Sequence, residues 1–578
     1  MLKGISASGG VAIGKAFIYN PQELRVASKP VSEKELPQEI ARFEEALIKT
    51  RADILDIQKK ISKEMGVEHA EIFNAHLLVL EDRMFIEEVI AQLKDKKLVV
   101  EYVFLEVLKR YIKAFSKMED EYLKERISDI DDVGKRILRN LLGKQEQTLK
   151  ELKEPVIVVA YDLAPSDTAS MHRKHVLAFV TDIGGKTSHT AIMARSLEIP
   201  AVVGLEVATK NIRNGDNLII DGTHGVVEIN PGQDTLKHYR AEKAKFEAFE
   251  IDLRKLREVP CVTKDGRKIE LAANIEIPEE TPSVKAHGAE GIGLYRTEFF
   301  YMNRNDLPTE EEHFLAYKKV AEQVAPHSII IRTIDLGGDK FLSQLEMPKE
   351  MSSFLGWRAI RFCLARPDIF KVQLRAILRA SAFSKVRMMY PMISGVEEIR
   401  QANKILEEAK NELRQKKMPF DENIEVGAMI EVPSAALTCD IIAKEVKFLS
   451  IGTNDLIQYS LAVDRTNEKV AYLYEPAHPA ILRLIKNIVD AGHKENIWVG
   501  MCGEMASEPA FALLLLGLGL DEFSVSPVAV PEIKQVIRSV TYEQAKKIAE
   551  HSFLLTTGSG VESYIRSKVK ELVPGLME

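Results

Sequence analysis

The sequence predicts a multidomain α/β protein: a C-terminal (β/α)8 barrel, and an N-terminal β/α domain carrying an inserted helical subdomain. Three observations predict it. Strand-like apolar runs alternate with helical stretches over roughly 300 residues of the C-terminal half, the signature of a barrel. Short glycine-punctuated strands in residues 1–20 resume in residues 155–230. Between them, Ile40, Phe43, Leu47, Ile54, Ile57 and Ile61 follow helical spacing. The expected boundaries are 1–20 plus 145–230 for the β/α domain, 21–144 for the helical subdomain, 231–260 for a helical linker and 261–578 for the barrel.

With 578 residues, 46% hydrophobic and 29% charged, the chain can fill several cores. Its 79 basic and 86 acidic residues leave a net charge of −7. That argues against a nucleic-acid binder working through bulk positive charge, and it permits a basic protein partner. Cys261, Cys363, Cys439 and Cys502 are scattered, form no metal-type pair and fit a reducing cytosol. No signal peptide is read and no apolar run is long enough to span a bilayer. A cytoplasmic protein without membrane insertion is therefore expected.

Gly4, Gly9, Gly10 and Gly14 among Val11, Ile13, Phe17 and Ile18 read as short strands of a sheet completed elsewhere. Ser32 with Glu35 makes a capping box, and helical patterns continue to Leu142 and Gly143. The block has the size of a helix bundle or two packed hairpins. Glu68, Glu71, Glu81, Asp82, Glu87, Glu88, Glu119, Asp120 and Glu121 each fit a solvated face; together they suit a basic partner. His69 and His76 lack carboxylates at ligand spacing and read as packing or surface histidines.

Val156–Ala160, residues 177–180, Ala201–Val203 and residues 218–220 read as strands of a compact β/α unit. Gly184 and Gly185 break the apolar run before them. Thr187 or Ser188 can cap a helix that starts near His189 and runs through Ile192, Met193 and Leu197. His189 then sits where free N–H groups and a helix dipole converge, a place for a phosphate and for an imidazole that carries it. A capped helix with a packed histidine fits the same residues. Gly185, Lys186 and Thr187 resemble the tail of a P-loop, but Val180 stands where its leading glycine belongs. Thr168, in a second polar loop, can approach His189 and fix its tautomer, or simply cap a helix. Residues 233–258 are charged and helical in pattern up to Pro260, a linker between two bodies.

The barrel strands are expected at 269–275, Gly291–Tyr295, 329–331, Val386–Tyr390, Val426–Ile430, Phe448–Ile451 and Trp498–Met501. Either 357–360 or 523–525 supplies an eighth. Polar residues mark the strand ends, where barrel chemistry sits: Arg296, Arg332, Asp335, Asp339, Glu431, Asn454, Asp455, Cys502, Gly503 and Glu504. Arg296, Arg332 and Arg465 offer forks for phosphate and carboxylate. Glu431 and Asp455 are hard oxygen ligands suited to Mg²⁺, and Asn454 adds a neutral contact. Cys502 is a candidate proton donor, although a lone cysteine also fits a packed core. The ligand so inferred is a small anion bearing phosphate and carboxylate.

These residues stand in motifs of a known family. Gly184-Gly-Lys-Thr-Ser-His189-Thr-Ala-Ile resembles the phosphohistidine motif of the phosphoenolpyruvate-utilising enzymes. Gly291-Ile-Gly-Leu-Tyr-Arg-Thr-Glu298, Met429-Ile-Glu-Val-Pro-Ser434, Leu449-Ser-Ile-Gly-Thr-Asn-Asp-Leu-Ile-Gln458 and Gly500-Met-Cys-Gly-Glu504 resemble that family's barrel motifs. The order of domains is similar to that of the branch serving bacterial sugar uptake, a phosphotransferase acting on protein. The resemblance implies that His189 takes the phosphoryl group on Nε2 and that Arg296, Arg332, Asn454, Asp455 and Arg465 bind phosphoenolpyruvate. It implies Mg²⁺ on Glu431 and Asp455, and Cys502 as donor to the enolate carbon that becomes pyruvate. It further implies a swivelling phosphohistidine domain, docking of the histidine phosphocarrier protein HPr on the helical subdomain, and a homodimer formed through the barrel. Two departures are Ser8-Gly-Gly10, where a proline-glycine pair is expected, and Lys186, where arginine is common and more directional. Pyruvate phosphate dikinase and phosphoenolpyruvate synthase share the motifs but need a large ATP-binding domain, for which the region before His189 leaves no room. A non-catalytic phosphorelay regulator would have a broken barrel mouth, whereas every contact residue is present here.

Overall fold

The computed structural model describes all residues except 20–25, 66–71, 116–120, 144–148, 150–151, 153, 164–174, 186–188, 197–198, 302–305, 337–354, 466, 468, 574–575 and 577–578. The chain divides into two compact units, Met1–Ala248 and Phe249–Glu578.

The first unit is built on β1 (Leu2–Lys3), β2 (Ile5–Ser8), β3 (Val11–Tyr19), β4 (Val156–Ala160), β5 (Val176–Thr181), β6 (Ala201–Val203), β7 (Asn217–Asp221) and β8 (Val226–Ile229). They form one sheet in the order β1-β8-β7-β3-β4-β5-β6-β2. The central strands β3, β4, β5 and β6 pair in parallel. Val158, Ala160 and Phe179 pack on one face, with Ala191 and Ala194 of the helix His189–Ser196. Ile157, Val159, Ala178 and Val180 pack on the other, with Ala208 and Leu218. Burial on both faces explains why these strands read as unbroken apolar runs.

The helical block is inserted between β3 and β4. Leu36–Met65, Ile72–Leu80, Arg83–Lys96, Val100–Phe115 and Glu121–Leu142 enclose Phe43, Ile54, Phe73, Phe85, Val89 and Phe104. Ser32 N–H donates to Glu35 Oε2 at 2.9 Å, and the long helix starts one residue later, at Leu36. Several of the acidic residues are used internally. Asp82 caps its helix by accepting from Phe85 N–H at 3.1 Å, Glu81 pairs with Arg51 at 3.1 Å, and Glu88 pairs with Arg110. His76 is buried, edge-on to Phe73 with ring centroids 5.2 Å apart and with Nδ1 3.7 Å from Asp132. It is a packed histidine. His69, Glu68, Glu71, Glu119 and Asp120 lie outside the described residues.

The second unit closes β9 (Glu270–Ile275), β10 (Gly291–Tyr295), β11 (Ser328–Arg332), β12 (Val386–Tyr390), β13 (Val426–Ile430), β14 (Phe448–Ile451), β15 (Trp498–Met501) and β16 (Glu522–Val525) into a barrel. Every neighbouring pair is parallel, including β16 with β9. The eighth strand is therefore the 523–525 candidate; residues 357–360 lead into the helix Ala359–Ala365. Leu294, Ile330, Met389, Met429 and Phe448 plug the lumen, while Tyr295, Ile329, Ile331, Met388 and Ile430 face the surrounding helices. Side chains alternate along a strand, so two residues beyond Leu294, Ile330 and Met429 the lumen side is taken by Arg296, Arg332 and Glu431. That step carries the side chains from the apolar plug to the C-terminal mouth.

Candidate active site

In the first unit, β5 ends at Thr181, whose Oγ1 donates to Ile183 C=O at 2.7 Å. Gly184 turns the chain at φ 119°, a conformation that favours glycine. His189 is the first residue of the eight-residue helix that follows. Ala191, Met193 and Ala194 are buried and fix the helix on the sheet. Thr190 Oγ1 donates to Leu163 C=O at 3.4 Å, which ties the helix to the second polar loop. Thr168, Lys186, Thr187 and Ser188 lie outside the described residues.

In the second unit, the mouth is an alternation of arginines and carboxylates. Arg332 pairs with Glu298 at 2.8 Å and with Asp335 at 3.0 Å, and its Nε has no hydrogen-bond partner among the described residues. Arg358 holds the other Asp335 oxygen at 2.7 Å and reaches Asp455 at 3.6 Å. Burial alone would raise the Asp335 carboxyl, but Arg332 and Arg358 together hold it below its ordinary range. Arg296 pairs with Glu276, one residue past β9, and its charge also bears on Asp335 and Glu298.

Glu431 is 2% exposed, and its Oε1 accepts from Met392 N–H at 2.6 Å. A Cβ at Gly452 would stand 2.6 Å from the Glu431 Oε2, so only glycine there admits the carboxylate. Burial pushes Glu431 up to about 8, with Asp455 and Asp335 adding repulsion and Arg332 opposing it. Asp335, Glu431 and Asp455 each place an oxygen within 4.8 Å of the others. Three crowded, water-poor carboxylate oxygens are a donor set that fits Mg²⁺ held partly by a bound substrate. Asp335 thus lies with Glu431 and Asp455 as a third carboxylate of the cluster.

Cys502 follows β15 and is 3% exposed against the lumen plug. Burial pushes its thiol up to about 11, against a hydrogen bond from Ser450 and the charge of Arg332. Ser450 Oγ lies 3.5 Å from the sulfur, and Asn274 Nδ2 donates to Cys502 C=O at 3.1 Å. The thiol thus stays protonated at neutral pH. A Cβ on Gly503 would overlap Thr453 Oγ1 and lie 2.6 Å from Thr453 N, so the β15 loop presses on the helix Thr453–Leu461. Beside it, Glu504 joins Asn454 and Arg465. Glu504 N–H donates to Asn454 Oδ1 at 2.9 Å, and Arg465 Nη1 donates to Glu504 Oε1 at 2.6 Å.

The mouth therefore brings together Arg332, Glu431, Asp455 and Cys502, with Asn454 and Arg465 joined at its β14–β15 side and Arg296 at the β9–β10 side. Reading the sequence missed Arg358 and left Glu298 without a role. Arg358 lies inside the 357–360 run, itself a candidate strand, and so stood at no strand end; Glu298 lies inside a quoted motif, which was the available signal. Asp339 lies outside the described residues.

Fold and mouth define a (β/α)8 barrel that collects arginines and carboxylates at its C-terminal face, in one chain with a β/α domain. Three family models match: the N-terminal domain of PEP-utilising enzymes over residues 3–126, their mobile domain over 152–225 and their PEP-binding domain over 251–542. A Haemophilus influenzae protein named phosphoenolpyruvate-protein phosphotransferase is 46% identical over 571 residues, 99% of each chain. Proteins of the same name from a Bacillus species and from Bacillus subtilis are 47% and 46% identical, covering 98% of this chain and 97% and 100% of their own. The chain belongs to the PEP-utilising enzyme family.

Proposed function

We propose that the chain moves the phosphoryl group of phosphoenolpyruvate to its own His189, releasing pyruvate, and then to the phosphocarrier protein HPr, the first step of the sugar phosphotransferase system. The observation that carries this reading is the barrel mouth, where arginine forks, three carboxylates and a protonated thiol meet around one lumen. The name shared by relatives aligned nearly end to end supports it. The arginine-dense side formed by Arg332, Arg358 and Arg296 suits the phosphoryl group, and Arg465 with Asn454 suits the carboxylate. The imidazole Nε2 of His189 attacks phosphorus, an N–P bond forms and the P–O bond to the enol oxygen breaks. Cys502 then gives its thiol proton to C3 of the enolate, and solvent returns a proton to sulfur. Mg²⁺ on Glu431, Asp455 and Asp335 would supply charge neutralisation at the phosphoryl and enolate oxygens.

The same reading assigns HPr docking to the helical subdomain, whose acidic residues suit a basic partner. It assigns homodimer formation to the barrel unit, where Leu437, Tyr472 and Leu554 are exposed apolar side chains of the kind subunit contacts cover. It places the protein in the cytoplasm, in keeping with the finding that no helix among the described residues is long and apolar enough to cross a membrane.

The test is a rapid mix of the protein with phosphoenolpyruvate and Mg²⁺, without nucleotide or acceptor. A burst of about one pyruvate per chain is expected, as a covalent intermediate requires. A protein that releases none, or a His189→Ala variant that keeps the burst, contradicts the proposal.

A further inference from the structure

Behind the mouth lies a chain of buried polar side chains that the phosphoryl-transfer scheme does not use. Thr297, His313, Tyr317 and Gln373 are each 0% exposed. Gln373 lies on the helix Pro367–Ser381, and His313 and Tyr317 lie on the helix Glu310–Val324, which packs against it. A glutamine so placed is costly unless every polar atom finds a partner.

All its partners are present, and their polarity runs one way. Gln373 Oε1 accepts from Ile334 N–H at 3.0 Å, which fixes the orientation of the amide. Its Nε2 then faces Thr297 Oγ1 at 3.0 Å and Tyr317 OH at 3.2 Å and donates to both. Thr297 Oγ1 in turn donates to Arg332 C=O at 2.9 Å. Tyr317 OH lies 2.9 Å from His313 Nδ1, and Tyr301 OH lies 3.1 Å from His313 Nε2.

On the side of the mouth the network reaches two main-chain groups, Arg332 C=O and Ile334 N–H. They bracket the turn between the end of β11 and Asp335, in which the last ladder bond is Thr333 N–H to Met389 C=O at 3.0 Å. That turn sets the angle between the Arg332 fork and the Asp335 carboxylate that holds it at 3.0 Å. An apolar residue at position 373 would fill the same volume without fixing either group.

Resting on the phosphoenolpyruvate reading above, we propose that Gln373 and Thr297, backed by Tyr317 and His313, are positioning residues that set the register of the 332–335 phosphate clamp. They act through Arg332, so they govern recognition of the phosphoryl end of the substrate and leave the carboxylate end alone.

The experiment compares two unreactive probes in the full chain with Mg²⁺: phosphoglycolate, which carries phosphate and carboxylate, and oxalate, which carries no phosphate. Thr297→Val and Gln373→Met are expected to weaken phosphoglycolate binding about tenfold, the scale of a lost buried hydrogen bond. Oxalate binding is expected to stay unchanged. Thr297→Ser keeps the hydroxyl and is expected to bind both probes like the unaltered protein. A merely structural role would weaken both probes together and give no rescue by serine, and either result overturns the proposal. Equal binding of phosphoglycolate by all variants overturns it as well. If Gln373→Met does not fold, the valine and serine pair at Thr297 decides. If the unaltered protein binds oxalate but not phosphoglycolate, the phosphoenolpyruvate reading itself fails, a result distinct from variants that match an active parent.

Discussion

Two buried side chains at the mouth have their proton affinities set by where the fold puts them. The Cys502 thiol, pushed up to about 11, is the opposite of a nucleophilic cysteine, whose value is lowered by nearby positive charge. It is suited to giving a proton to carbon. Cys502→Ala is expected to slow pyruvate formation by about 10²- to 10⁴-fold, the usual contribution of a positioned acid, and to leave phosphoglycolate binding intact. Normal turnover in a rapid-quench assay would return Cys502 to simple packing. Glu431 makes a second prediction. Its ordinary value is 4.5 and burial beside Asp455 and Asp335 lifts it to about 8. Between those values the folded chain holds a proton the unfolded chain has lost, so Glu431 contributes stability at low pH that is lost as pH rises through the window. Mg²⁺ competes for the same oxygens. It is therefore expected to raise the melting temperature of the barrel more at pH near 8 than at about pH 5.5. Glu431→Gln is expected to remove most of that difference in a differential scanning experiment. An equal Mg²⁺ effect at both pH values contradicts the assignment.

The strand ends account for most of what was legible beforehand. Counting along each apolar run to the polar residue at its end leads to Arg296, Arg332 and Glu431, and the run before Cys502 leads there as well. The count fails for a residue inside a run rather than at its end, which is why Arg358 was overlooked although it bonds Asp335 at 2.7 Å. The eighth strand was ambiguous because 357–360 and 523–525 are both short runs with one polar residue inside, and only closure against β9 separates them. Gln373 and His313 were invisible for another reason: on amphipathic helices they read as ordinary polar positions, and only packing shows them at the buried side. The β15 loop carries its own prediction. Gly503 has an unremarkable φ of −73°, so its need for glycine is purely steric, from Thr453. Gly503→Ala is expected to cost roughly 1–3 kcal/mol, as overpacking does, and to weaken oxalate binding by displacing Asn454 and Glu504. Chemical denaturation with unchanged midpoint would show that the loops have room to part.

At the scale of the whole chain, the division of labour follows from topology. The mixed sheet of the first unit ends a strand at a glycine turn and a helix whose first residue is His189, and the barrel of the second collects charge at its mouth. The interruption of the sheet by a helical block was readable from the change of period at Ser32, because strands and helices repeat differently. Phosphoryl transfer through His189 requires the imidazole to meet the mouth and later a carrier, so the chain is expected to work as two bodies rather than one. The acidic residues expected to serve a basic partner are in part used internally, since Glu81, Asp82 and Glu88 make their contacts within the helical block. The most direct test of the central claim is mass spectrometry of the protein after brief exposure to phosphoenolpyruvate and Mg²⁺, with peptides kept at alkaline pH. A single acid-labile phosphoryl group on His189, absent when Arg332→Ala replaces the clamp, is the expected result. Phosphorylation at another residue, or none with phosphoenolpyruvate demonstrably bound, would contradict the account.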